Sequence, residues 1–582
     1  MRPMHLEDPP VRTSEAAFGS EVRLPTLPPE PAAPRVGADD VPQLDDPDMS
    51  FLTADGRERV PVTVQIAVVL SLALAVWLRF WTPSALWLDE ALTVNIAKAP
   101  LGHIGALLRD DGAPPLYYYM LHFWIAVFGS GNLATRSLSG VIGLINLPVA
   151  WLAGYRVGAR WWTLDDASPD ERLERIHRGR VTAWAVTLLV ASSPFAVYYD
   201  TEARMYGMVI LLGTLMVLSY MSLLRRPTVL QAAALAAITS GLLYSHYWAF
   251  YSTAVAGIGT LWCARKGPYK RACLYALAGL TAGCLTFVPW IPTFWFQLHH
   301  TGTPWAAPAQ LTVVVFTVTQ FAGGNSDPGR ALAVVFFFLA LLAVCGVPLD
   351  RWRVLLDVRT RPGVRVLAVS VVSTIVFGVL AGRLSGSTFA DRYTAMILFP
   401  ALVVMAYGLT SLNDPRTRNA FLAAAVFLGF LAAVPNAFIS RTQAGQVGAA
   451  IAAHARPHDV IAYCPDQLGP AVSRVLGDKY QQITFPHETG PQIVDWVNYL
   501  QFVRSAKAAP FVKKVEKMAG ATGSVWYVWA PSYTGFSFDC QEIADALRLW
   551  PGHKQVDVVK ALGSDTPFEI YEGEALDRFS PK

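Results

Sequence analysis

The feature that most constrains this chain is a series of long apolar runs, of which "VTVQIAVVLSLALAVWL" is the first. Each is close to the ~20 residues of helix needed to cross a hydrocarbon core of ~30 Å. In lipid every backbone N–H and C=O must be bonded within the segment or to its neighbours, so unbroken runs of this length predict helices and not barrel strands. The blocks read as spans cover residues 62–82, 135–155, 181–199, 205–224, 228–246, 248–264, 272–294, 331–349, 366–382, 393–412 and 420–439. With 53% hydrophobic and only 15% charged residues over the whole chain, a soluble globule is excluded. The fold class expected is an all-α polytopic membrane protein with about eleven transmembrane helices.

The loops predict orientation. "YRVGAR…DERLERIHRGR", "RRP", "RKGPYKR", "DRWRVLLDVRTRPGVR" and "NDPRTRN" alternate with loops poor in Arg and Lys, which places the basic set in the cytoplasm of a plasma-membrane, multi-pass protein. The segment "LYYYMLHFWIAVFG" (116–129) is apolar but short, and counting it as a span would move the Arg-rich 155–180 loop outside. It is read as re-entrant or interfacial, within a first outer loop over residues 83–134. Residues 1–60, rich in Pro and acids and poor in aromatics, are expected to be a disordered cytoplasmic tail. The apolar run near Val62 lacks a small-residue cleavage pattern and is expected to be a span, not a signal peptide. Residues 61–439 form the membrane module. Residues 440–582 alternate strand-like runs such as "SVWYVWAP" with helix-like ones such as "CQEIADALRLW", which predicts a small extracytoplasmic α/β domain. Cys464 and Cys540 both fall there and could pair in an oxidising compartment; the other four cysteines read as apolar packing. The net charge of +4 points to no nucleic-acid partner.

Three clusters at the predicted outer face could carry chemistry. In "ALWLDEALTVNIAKAP", Asp89 and Glu90 stand among apolar neighbours just after the first span. They read either as a general base with its neighbour or as a solvated acid pair at a helix start. "RDDGAPPLYYY" adds Asp110 and Asp111, which also suit an N-cap and turn. In "VYYDTEARMYGMVILL" a very short loop holds Asp200, Glu202 and Arg204 at the boundary, as a metal or phosphate site or as an interfacial ion pair. In "STFADRYTAMILFPAL", Asp391, Arg392 and Tyr393 open the tenth span; an outer-face arginine runs against the positive-inside bias and suits an anionic head group, or snorkels. His246 in "LLYSHYWAFYS" is an interfacial anchor or a ligand.

In order along residues 62–410, "WLDEA", "DGAPPLYYY", "ATRSLSGVIGL", "TEARMYGMVILL", "SHYW" and "DRYTAMILFPAL" resemble the elements of the GT-C glycosyltransferases. The branch resembled is that of the bacterial protein O-mannosyltransferases and the aminoarabinose transferases of lipid A. The resemblance implies an enzyme that moves a sugar, mannose or arabinofuranose, from a polyprenyl-phosphate donor to an acceptor hydroxyl. The acceptor would belong to a cell-envelope glycan, a glycolipid or a protein, and the reaction is an inverting single displacement. It implies Asp89 as base and Glu90 as its neighbour, orienting the acceptor or contacting a cation. Glu202, Arg204, Tyr206, His246, Arg392 and Tyr393, with Asp110 and Asp111, would then line the donor and substrate side. An arginine of the second loop, or a divalent cation, Mg or Mn, held by Glu90 or Glu202, would stabilise the departing phosphate. One departure stands out: Ala113 occupies the place before Pro-Pro where the mannosyltransferases commonly carry His. The tail and the Arg, Ala and Trp usage resemble a high-GC actinobacterial protein. Two other classes are weighed against the enzyme. A transporter or flippase of lipid-linked sugars predicts acids near the membrane midplane, and the spans are nearly free of them. A receptor or scaffold needs only one anchoring helix.

Overall fold

The computed structural model describes residues 60–302, 310, 312–359, 361–385, 389–531, 537–563 and 572–582. All but the last residue of the expected tail lies outside these. The chain is mostly helical, and each of the eleven apolar blocks contains a helix.

Helix α1 (Val62–Leu78) shows how they are built. Val62, Ile66, Val69 and Leu70 are left 52–68% uncovered by protein, while Ala75 and Leu78 are fully buried. One face therefore meets lipid and the other the bundle. The first loop then folds into α2 (Leu88–Ala97), α3 (Leu101–Asp111) and α4 (Leu116–Phe128). At 13 residues, about 20 Å of helix, α4 is too short to cross a membrane. α3 ends on Gly112, whose φ of +87° supplies the left-handed cap that a side chain resists.

α5 (Asn132–Gly158) is followed by α6 (Pro169–Ser192) and α7 (Pro194–Asp200). A Cβ on Gly154 or Gly158 would come within 2.5 Å of Val186 or Thr182, so these glycines let α5 and α6 lie backbone to backbone. The third predicted block is not one straight span: α6 and α7 meet at 57°, at Ser193, whose hydroxyl accepts the Ala196 N–H (3.2 Å). α6 also begins inside the basic stretch read as a loop, with Pro169 in its first turn. The series continues through α8 (Tyr206–Arg225), α9 (Val229–Leu243), α10 (Ala249–Lys266), α11 (Lys270–Thr286), α12 (Ile291–His300), α13 (Val313–Phe321), α14 (Asp327–Cys345), α15 (Pro362–Ser385), α16 (Ala395–Gly408) and α17 (Pro415–Ala433). Among the described residues seven helices are long and apolar enough to cross a membrane, or eight with α6 and α7 taken as one broken span. α1 and α9 are apolar but shorter. α16 is the central helix, buried along its whole length. A short hairpin, β1 (Gly346–Pro348) with β2 (Val354–Leu356), and helix α13 were not anticipated from the sequence.

The last part of the chain holds a five-stranded mixed sheet of order β4-β3-β5-β7-β6, made of β3 (Val460–Cys464), β4 (Gln481–Thr484), β5 (Val525–Trp529), β6 (His553–Val559) and β7 (Ala575–Pro581). β3 pairs in parallel with β4 and β5, whereas β7 runs antiparallel between β5 and β6. Every residue of β3 and β5 is buried, because helices cover both faces of the parallel part. Cys464, at the end of β3, is bridged to Cys540, with Cα atoms 5.5 Å apart.

Candidate active site

Charged groups segregate to the two ends of the bundle. At one end Arg225 pairs with Asp165 (2.7 Å) and Arg351 with Asp414 (2.9 Å), while Arg361 lies within electrostatic range of Arg160 and Arg178. The other end gathers Asp89, Asp111, Arg204 and Arg392, and its floor is a layer of buried ion pairs.

Arg79, at the end of α1, donates through Nε to Asp200 (2.8 Å) and through its remaining nitrogens to the carbonyls of Ala75, Val190 and Ala191. A Cβ on Gly143 or Gly207 would strike the Asp200 carboxylate at 2.3 or 2.7 Å, so two glycines make room for this pair. Arg136, in the first turns of α5, grips Glu90 with both prongs, Nε to Oε1 at 2.7 Å and Nη2 to Oε2 at 2.5 Å. Glu90 also accepts the Ala203 N–H (2.9 Å) and is wholly buried. Burial pushes its carboxyl up, but Arg136, with Arg441 and the Ala203 N–H, overrides that and holds it below the usual range. Trp87 donates its indole N–H to Glu202 (2.8 Å). Arg441, just past α17, lies 4.0 Å over the Tyr198 ring and donates to the hydroxyl (2.8 Å) and carbonyl (3.3 Å) of Thr201. The sequence reading missed Arg79, Arg136, Trp87 and Arg441. The signal was there for the arginines, which flank spans on the end expected to be poor in them.

Above that floor Asp89 is the exception. It sits in the first turn of α2, where the helix dipole favours an anion. Its side chain keeps 20% of its exposure, and its Oδ2 is met by Arg204 (3.5 Å) and Arg392 (3.7 Å), both beyond tight hydrogen-bonding distance. Arg204 is held from the other side by Thr93 Oγ1 (2.9 Å) and the Tyr118 hydroxyl (3.3 Å), and its buried Nε has no partner among the described residues. Tyr118 donates to Asp111 (3.0 Å), whose carboxyl burial pushes up to about 6 against the pull of Arg204. Asp110 stands aside, its carbonyl accepting the Trp496 N–H (3.3 Å) from the C-terminal region. Tyr206 and Tyr393 flank the His246 ring, with centroids 5.9 and 5.1 Å away, and His246 Nδ1 accepts the Trp248 N–H (3.2 Å).

The C-terminal region also reaches this site. Glu572, buried, accepts the Leu88 N–H at the start of α2 (2.9 Å). Burial pushes its carboxyl up to about 8, so it is largely neutral at pH 7. The Arg441 N–H donates to Ser84 (2.9 Å), whose carbonyl in turn accepts from Arg136 (2.6 Å).

Both oxygens of Glu90 are occupied by the Arg136 guanidinium and the Ala203 N–H. Among the described residues no group of three or more His, Cys, Asp or Glu that could hold a metal occurs.

No family model and no curated protein matches the chain. The fold is similar to that of solved structures of ArnT from Cupriavidus metallidurans. The form bound to undecaprenyl phosphate has a TM-score of 0.54 at 14% identity, over 89% of this chain and 98% of that one. The apo form gives 0.54 at 15% identity, over 88% and 98%. The expected fold, an all-α polytopic membrane module with a small C-terminal α/β domain, is the fold of the chain and is similar to that of ArnT.

Proposed function

We propose that this protein is a membrane glycosyltransferase that moves a sugar, mannose or arabinofuranose, from a polyprenyl phosphate to an acceptor hydroxyl of a cell-envelope glycan, glycolipid or protein. The observation that carries this is Asp89: a part-exposed carboxylate at a helix start, loosely faced by two arginines, above a floor whose other acids are already buried in close contacts. The arrangement supplies both halves of an inverting displacement. Asp89 takes the proton of the attacking hydroxyl. Arg204 and Arg392 stabilise the negative charge that grows on the departing lipid phosphate. Loose ion pairing suits this, because a phosphate drawn to either guanidinium weakens its hold on Asp89 and frees the base. The ArnT structure with undecaprenyl phosphate bound supports the class of donor.

The site end is read as extracytoplasmic, with the amino terminus cytoplasmic. The positive-inside distribution supports this, as does the Cys464–Cys540 bridge in the domain that shares the site's end. The test is transfer from radiolabelled polyprenyl-phosphate mannose and arabinofuranose by the purified full chain. Label reaching an acceptor from either donor supports the reading, and failure with every such donor, by protein shown to be folded, overturns it.

A further inference from the structure

At the opposite end of the same helices lies a second cluster of cations that the proposed reaction does not use. α5 passes Arg136 near its start and Arg156 near its end; α8 runs from Tyr206 beside the site to Arg225. At 20 residues α8 is about 30 Å long, one hydrocarbon thickness. Arg156, Trp161, Ser222, Arg225, Arg226 and Gln231 there surround a cavity of about 230 Å³.

This pocket is built around guanidinium groups. Arg225 stacks on the Trp161 ring at 3.7 Å and pairs with Asp165 (2.7 Å). Arg156, 6.0 Å from the same ring, is tethered by a hydrogen bond to the Ser222 hydroxyl. Two guanidiniums are thus gathered about one indole, Arg226 adds a third cation, and Asp165 is the acid that answers them. Gln231 adds its side-chain amide to the lining. Like charges gathered in this way repel one another, and an anion bound among them relieves the repulsion. The planar forks match phosphate oxygens, and the amide suits a neighbouring hydroxyl. A tryptophan at the end of a spanning helix marks the depth of lipid head groups.

We infer that the pocket binds the phosphate head group of an anionic phospholipid in the leaflet opposite the Asp89 site. The inference is independent of the proposed transfer reaction.

The test uses the full chain in nanodiscs of phosphatidylcholine with rising fractions of phosphatidylglycerol, following thermal unfolding. The wild type is expected to gain stability with phosphatidylglycerol. Arg156→Gln with Arg226→Gln should weaken the apparent affinity for phosphatidylglycerol by about 30-fold, so that most of the gain is lost at the fractions that stabilise the wild type, with the phosphatidylcholine midpoint in place. Arg226→Gln alone, on an exposed side chain and safe for folding, should shift it part of the way. A variant of the separate basic turn, Arg265→Gln with Arg271→Gln, should keep most of the gain. An equal gain in wild type and pocket variants overturns the inference. So does an arginine-dependent gain from inorganic phosphate in pure phosphatidylcholine, which would mark a soluble phosphate as the occupant.

Discussion

Asp89 and Glu90 are adjacent in sequence, on the first turn of one helix, and belong to different regions of the molecule. Glu90 faces down into the floor, where Arg136 and the Ala203 N–H occupy it; Asp89 faces up toward two arginines at 3.5 and 3.7 Å. Successive helical residues point about 100° apart, so one register step separates the two environments. The difference teaches that the floor is closed by tight pairing while the layer above it is left loosely paired. A buried carboxylate with every oxygen satisfied has little reason to give up its cation, whereas one loosely paired at a water-accessible edge can exchange its partner for a substrate.

Breaking this contrast should have graded effects. Asp89→Asn should lower sugar transfer by about 10²–10⁴-fold with unfolding unchanged, measured on donor turnover beside a thermal melt. Arg136→Ala should act in the reverse sense. Leaving Glu90 buried and unpaired removes about 3–5 kcal/mol of stability, seen as a lowered unfolding midpoint or poor recovery from membranes. If Arg136→Ala melted like the wild type, the floor would not be structural. Arg204→Ala is expected to lower kcat by about 10²–10³-fold, as for removal of one donor to a developing anion. Full kcat in that variant would remove Arg204 from the phosphate side.

The smallest effect is on pH. Asp111 has its carboxyl raised to about 6, so between the ordinary carboxylate range and pH 6 the folded chain holds more protons than the unfolded one. Its contribution to stability therefore falls as pH rises toward 6 and is level above it. Its ionisation also adds an anion beside Arg204, so the pH–rate profile should bend near pH 6. Asp111→Asn should remove that bend, and a bend of the same size in the variant would disconnect Asp111 from the site.

The ordered motifs made much of this site legible. Asp89 of "WLDEA" lies in the first turn of α2, and the arginines of "TEARMY" and "DRYT" converge on it. Adjacency in sequence suggests a shared role for Asp89 and Glu90, but helical register decides which way each side chain points. Arg79 and Arg136 were passed over because their partners, Asp200 and Glu90, lie 121 and 46 residues away. No local pattern carries that pairing. The same holds for Glu572, which reaches Leu88 across 484 residues and ties the C-terminal region to the helix bearing Asp89.

The sequence by itself determined that the chain crosses a membrane many times, because apolar length and loop charge are local quantities set against a solvent of known thickness. It also determined which end of the bundle carries the acids. Only the tertiary structure decided which acid is held and which is left open. That outcome depends on where distant arginines arrive when the helices pack, and on the glycines that let them approach.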